Sequence, residues 1–265
     1  MHPFKALLKV IIKLDQVGLH LPNKLYLSCY YYSFVGERLN WKNPKKYCEK
    51  LNWIKLYDHN PLYTTLVDKC LAKQYFAKHF GDQYIIPTIA EYSSASEIEW
   101  DRLPNQFVIK CNHDSASYVI CKDKETLDKK AVASFLDKAL KKDYYYLSRE
   151  WAYKDVKRKI LVEKYIEDPS GDLKDYKFFC FNGEVKALFI ASNRQNPNIK
   201  TQFDYFDADF NRLPMVSQGH PNADVAPKKP ENFDEMKRMS SILSKGIPEV
   251  RIDYYEVQGH ILFGE

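Results

Sequence analysis

Apolar positions along this chain follow two periods, and the switches between them mark its elements. Phe107-Val108-Ile109-Lys110-Cys111, a polar interval from Asn112 to Ser117, and a second apolar run from Tyr118 to Cys121 predict strand, turn and strand. Ahead of them, Met1 to His20 sets Leu7, Leu8, Val10, Ile11, Ile12 and Leu14 among Lys5, Lys9 and Lys13, an amphipathic helix that either packs on the body or lies on a membrane surface. Trp53, Leu56 and Tyr57 give helical spacing between Pro44 and Lys69, and Asp68 to Phe80 predicts a further helix stopped by Gly81. Tyr84 to Ile89 reads as a short strand broken by Pro87, and Ser93 to Ser96 as a turn and helix cap. Lys124 to Lys142 is a surface helix, and Lys159 to Glu167 an apolar strand. Asp175 to Phe181 and Val185 to Ala191 flank Asn182-Gly183, a strong hairpin signal. Thr201 to Phe206 is a further strand, and Asn232 to Lys245 a helix. Val250 to Val257 and His260 to Glu265 are two strands across Gln258-Gly259.

Composition narrows this little. At 45% hydrophobic and 28% charged, the 265 residues have room for one large domain or two intimate ones. Nine glycines are few, so a nucleotide loop built on a Gly-x-Gly series is not expected. A net charge of +5 suits phosphates, anionic sugars or an anionic membrane but is too diffuse for a nucleic-acid groove. Cysteines 29, 48, 70, 111, 121 and 180 form no Cys-x-x-Cys pair and read as free, mostly buried thiols of a reducing compartment, which points to the cytoplasm. No stretch reaches the apolar length of a membrane span, and no cleavage site follows the first helix.

Four features then stand in order: the strand lysine Lys110, a strand ending on Glu163, Arg251-x-Asp253, and Gly264-Glu265. Lys110 sits where a strand meets a turn, so its ammonium and converging backbone N–H groups can hold an anion. A hairpin with a snorkelling lysine is the plainer reading. Asp253 and Glu265, spaced by a hairpin, carry the hard oxygens magnesium prefers, whereas Arg251 with Asp253 also fits a structural ion pair. His113 and His220 read as loop residues, and the tyrosines at 30–32 and 144–146 as packing.

Together with Asn52-Trp53-Ile54-Lys55-Leu56-Tyr57, Leu103-Pro104-Asn105-Gln106-Phe107, Arg149-Glu150-Trp151 and Asp175-Tyr176-Lys177-Phe178-Phe179, this order resembles the ATP-grasp superfamily. Within it, the chain is similar, from about Lys42 to Glu265, to the family of the teichuronopeptide-biosynthesis protein TupA. The resemblance implies an α+β fold with the nucleotide between two α+β lobes. A helical N-terminal region over 1–60, an N-terminal α/β part over 61–103 and the nucleotide-binding lobes over 104–265 would follow. It also implies an ATP- and Mg2+-dependent carboxylate–amine ligase working through an acyl phosphate, in bacterial capsule or surface-polysaccharide synthesis. A uronic-acid carboxylate and an amino acid would be its substrates. Carried over by position, Lys110 would bind the α/β-phosphates, with Lys69, Ser115 and Ser117 also on the nucleotide, and Glu163, Lys164 and Ile166 would form the adenine hinge. Lys177 would lie near the γ-phosphate, Arg251 would steady the acyl phosphate, and Asp253 and Glu265 would ligate magnesium. No nucleic-acid partner is implied, and peripheral association with the inner face of a membrane stays open.

The sequence departs from the family pattern twice. Relatives carry glycines where this chain has Asp114-Ser115-Ala116-Ser117; an aspartate repels phosphate, and Ala116 lacks the φ freedom of glycine. The family pattern also continues beyond Gly-Glu, so a C-terminal truncation is expected. Two other readings remain: a glycosyltransferase of the same pathway, for which Asp207-Ala208-Asp209 has the spelling, and an inactive nucleotide-binding relative.

Overall fold

The computed structural model describes residues 3–115 and 117–265. The expectation for Ala116, and the first two residues of the N-terminal helix, lie outside the described residues. Helix α1 (Pro3–Leu14) runs into a π-helical turn, Asp15–Leu19, that Gly18 permits with φ 138°. Helix α2 (Asn23–Val35) then folds back, and Ile12, Tyr26 and Leu27 make a small core with Trp41 and Leu56. Nothing in the sequence pattern announced α2, because its apolar and aromatic residues fall on all sides. The helical stretch after Pro44 divides into α3 (Tyr47–Tyr57) and α4 (Leu62–Val67). Helix α5 (Lys69–Phe80) starts at Asp68, whose carboxylate accepts the Cys70 and Leu71 N–H groups at 2.9 and 3.4 Å.

Strand β1 (Thr88–Tyr92) begins only after Pro87, so the expected strand from Tyr84 is displaced; Asp82–Tyr84 is a 3-10 turn. Ser93 to Ser96 likewise opens a 3-10 turn, Ala95–Glu97, and caps no longer helix. The strands β2 (Phe107–Cys111) and β3 (Tyr118–Cys121) pair as expected. Helix α6 (Lys129–Lys141) is capped by Asp128, and α7 (Tyr145–Ser148) precedes β4 (Ile160–Lys164). These strands form an antiparallel sheet in the order β1-β4-β2-β3. Its Phe107, Ile109, Cys111, Ile160 and Val162 bury one face against Val132, Leu136 and Ala139 of α6. By the two-residue period, Val108, Lys110, Leu161 and Glu163 belong to the other face.

A second antiparallel sheet is built from β5 (Asp175–Phe181), β6 (Glu184–Ser192), β7 (Gln202–Asp207), β8 (Val250–Val257) and β9 (His260–Phe263), with α8 (Phe233–Leu243) between β7 and β8. The order is β7-β6-β5-β8-β9. Asn182 and Gly183 take φ 50° and 90°, the left-handed pair that a tight β5–β6 turn requires. Phe178, Leu188, Ile190 and Tyr254 pack on Phe233, Met236 and Met239 of α8. Phe76 of α5 joins this core, stacked on Phe263 at 4.3 Å, so α5 reaches both sheets. Among the described residues, no helix is long and apolar enough to cross a membrane, and all six cysteines are free.

Candidate active site

A cavity of about 340 Å³ separates the two sheets. One wall is the polar face of the first sheet. Lys110 and Glu163 sit diagonally on β2 and β4, since Val108 is the register partner of Glu163 and Leu161 that of Lys110. The Lys110 Nζ is 2.6 Å from Glu163 Oε2, and Lys73 of α5 donates to Glu163 Oε1 at 2.7 Å and to Thr88 Oγ1 at 2.9 Å. Burial works against all three charges. For Lys110 the nearby carboxylates of Glu163 and Glu265 outweigh it and keep the ammonium pKa above normal. For Glu163, burial is outweighed by Lys110 and Lys73, and its carboxyl lies below the usual range. Lys73 falls below normal, because burial and the like charge of Lys110 exceed what Glu163 returns. Glu163 therefore holds the Lys110 ammonium in place. Lys164 is exposed, and Ile166 lines the cavity where the chain leaves β4 for the second sheet.

The turn after Lys110 closes on itself. The Asp114 carboxylate accepts the Ser117 N–H at 3.1 Å and the Ser117 hydroxyl, so that backbone donor is spent within the turn. Ser115 Oγ lies 2.8 Å from the Tyr144 hydroxyl. Asn112 ties the turn down by donating to Lys157 O and accepting the Lys159 N–H. His113 is buried, and burial lowers its pKa. Lys69, at the start of α5, donates to Asp114 O and lies 3.6 Å from Glu265 Oε1.

Behind the opposite wall runs a row of alternating charge, of which Arg194 lines the cavity. Register pairs Lys177 with Asp253 and Phe179 with Arg251, so these side chains share the face away from the α8 core. Arg251 donates to both oxygens of Asp253, at 2.7 and 2.9 Å; Lys177 bonds Asp253 and lies 2.7 Å from Asp175 Oδ2, which also accepts from Arg194. Burial would raise the Asp253 pKa, but Lys177 and Arg251 hold it below normal, whereas burial keeps Asp175 raised. The Asp253 N–H donates to Glu265 O at 2.8 Å and the Glu265 N–H to Asp253 O at 3.4 Å, which sets both side chains on one face. Asp253 and Glu265 thereby place two carboxylates, the hard oxygen donors that fit a divalent cation, on one face; no group of three or more potential metal ligands exists among the described residues, and Asp175 Oδ1 is buried without a partner.

A second cavity, about 410 Å³, adjoins the first and shares Lys69, Gly264 and Glu265 with it. Tyr47, Tyr63, Trp151, Tyr153, Glu249 and Arg251 are among its lining residues. A Cβ on Gly264 would meet Asp253 O at 3.0 Å, so the chain between the cavities is held tightly to β8.

Lys110, Glu163, Lys164, Ile166, Lys69, Ser115, Ser117 and Glu265 thus come together in one cleft; Lys177 and Asp253 stand behind it, and Arg251 faces the adjoining chamber. Sequence reasoning missed Lys73, Asp175 and Arg194. Lys73 had a signal, being four residues after Lys69 on one helix face; Arg194 had none. Asp207 spends its carboxylate on the Asp209 and Asn211 N–H groups at 2.9 Å, and the Asp-x-Asp spelling lines neither cavity.

Two antiparallel α+β lobes with a lysine-lined cleft between them define an ATP-grasp protein. The chain belongs to the TupA-like ATP-grasp family, whose model matches residues 49–265. No curated protein matches it significantly. Among solved structures it is similar to the D-alanine–D-alanine ligase of Bacillus anthracis complexed with ATP, at 16% identity and TM-score 0.42 over 76% of this chain and 52% of that one. The Helicobacter pylori D-alanine–D-alanine ligase gives 13%, 0.41, 82% and 54% in the same terms. The ATP-grasp ligase PsnB, complexed with a phosphomimetic variant of its minimal precursor, Mg and ADP, gives 8%, 0.43, 82% and 56%. The chain spans about half the length of these structures.

Proposed function

We propose that this chain is an ATP-dependent carboxylate–amine ligase acting in the cytoplasm on a bacterial surface polysaccharide, with a uronic-acid carboxylate and an amino acid as its substrates. The observation that carries the reading is the cleft itself, with Lys110 and Glu163 on one wall, anchored by Lys73, and Arg194 on the other, backed by the Asp175–Lys177–Asp253–Arg251 row. ATP lies between them, with its phosphates toward Lys110 and Lys69. A carboxylate oxygen attacks the γ-phosphorus and ADP leaves, giving an acyl phosphate; an amine then attacks the carbonyl carbon, phosphate departs and the nitrogen loses a proton. Lys110, anchored by Glu163, holds the phosphates in line, and Lys177 sits behind the γ-phosphate. The half-exposed Arg251 guanidinium faces the acyl phosphate as negative charge develops. Asp253 and Glu265 would hold Mg2+, which would supply charge neutralisation to the phosphates.

Isothermal titration with ATP and Mg2+ tests this. Binding by the whole chain and at least about tenfold weaker binding by Lys110→Ala are expected; no binding, or equal binding by both, overturns it. A second reading, a nucleotide-binding protein without turnover, draws on Asp114 occupying the Ser117 N–H. ADP release in the presence of an acceptor and an amine separates the two.

A further inference from the structure

We propose that α1, α2 and the turn between them form a docking surface for an anionic phospholipid membrane. Leu8 and Ile12 of α1 point into the core, whereas Leu7, Val10 and Leu14, spaced three and four residues apart, share another face and are 56%, 53% and 53% exposed. Val17, 82% exposed, continues that stripe into the turn, and α2 adds Leu25 and Phe34 at 50% and 61%. Single exposed apolar residues are ordinary; a stripe of four on successive helical turns is not.

Charge selects the occupant. Residues 3–35 hold four lysines against one acid, Asp15, so this surface stands at +3. That acid is engaged with Arg149. Lys13 and Lys24 are exposed, and Lys9 Nζ is 5.3 Å from the exposed Phe34 ring. Apolar side chains beside unbalanced lysines match the boundary between acyl chains and anionic headgroups. A 12-residue helix, about 18 Å long, is too short to span a bilayer and would lie in the plane of the interface. No residue of α1, α2 or the turn between them lines either cavity, so the surface leaves the cleft free.

Flotation of the full chain with vesicles tests the proposal, comparing phosphatidylcholine alone with a mixture containing about one-third phosphatidylglycerol. Partition at least about tenfold stronger onto the anionic vesicles is expected, falling as salt is raised. Leu7→Ser with Leu14→Ser should abolish it, and Val17→Ser, at the most exposed position, should weaken it several-fold with an unchanged circular-dichroism spectrum. Lys13→Gln with Lys24→Gln should lower the preference for anionic over neutral vesicles. Equal partition onto both vesicle types, or undiminished binding by the folded Val17→Ser and lysine variants, overturns the proposal. So does a concentration-dependent dimer in sedimentation that the Leu7 and Leu14 changes dissolve, since the face would then belong to a second copy of the chain.

Discussion

Removal of the Glu163 carboxylate would leave Lys73 and Lys110, 7% and 16% exposed, facing each other without a counter-charge. Stripping one partner from a buried ion cluster costs several kcal/mol, more than the intact cluster contributes over an apolar replacement. Glu163→Gln is therefore expected to lower stability by about 3 kcal/mol in urea unfolding at neutral pH. Its pH dependence has a definite sign. The folded-state pKa of Glu163 lies below the unfolded value, so its contribution is complete above the ordinary glutamate pKa of about 4.3 and is lost as pH falls through the depressed value. The gap between the urea midpoints of wild type and Glu163→Gln should accordingly be constant from pH 7 down to about 4.3 and narrow only below it. The pairing of Lys110 with Glu163 was hidden in the sequence for a simple reason. Register between β2 and β4 is a tertiary fact, and Lys73 reaches Glu163 across 90 residues.

Elements with a strong local signal formed where the pattern put them, and those governed by distant contacts did not. Asn182-Gly183 dictates a turn by φ alone, so β5 and β6 were legible. Two-residue alternation on β8 likewise put Arg251 and Asp253 on one side, whereas Lys177 joins them only through the β5–β8 register. Helix α2 was not legible, since its burial comes from a small core built with α1, Trp41 and Leu56. The chain from that N-terminal pair to the cleft was equally invisible. Arg149, 1% exposed, bonds the buried Asp15 and Tyr146 O, and its guanidinium lies 4.3 Å from the Tyr26 ring. From there α7 leads to Tyr144, in contact with Ser115, and to Trp151 and Tyr153 on the second cavity. Asp15→Ala is expected to cost about 3 kcal/mol, again by stranding a buried cation, and to expose α1 and α2 to cleavage in limited proteolysis.

At the scale of the whole molecule, the cleft is shared by two lobes with separate cores, bridged by α5. A ligand that touches both lobes stabilises the folded chain by mass action, about 2.7 kcal/mol at a hundredfold excess over its Kd. Differential scanning calorimetry with ATP and Mg2+ should then show a rise of about 5 to 10 °C in Tm, cut to about half or less in Lys110→Ala. Gly264→Ala is expected to leave most nucleotide affinity in place while lowering ligase turnover by about 100-fold, measured as ADP release, because the added methyl pushes the chain off Asp253. Together with Lys69 and Glu265, that glycine is wall to both cavities. A shift of the chain at Gly264 is therefore felt on two surfaces at once, and whatever occupies one cavity touches residues that shape the other.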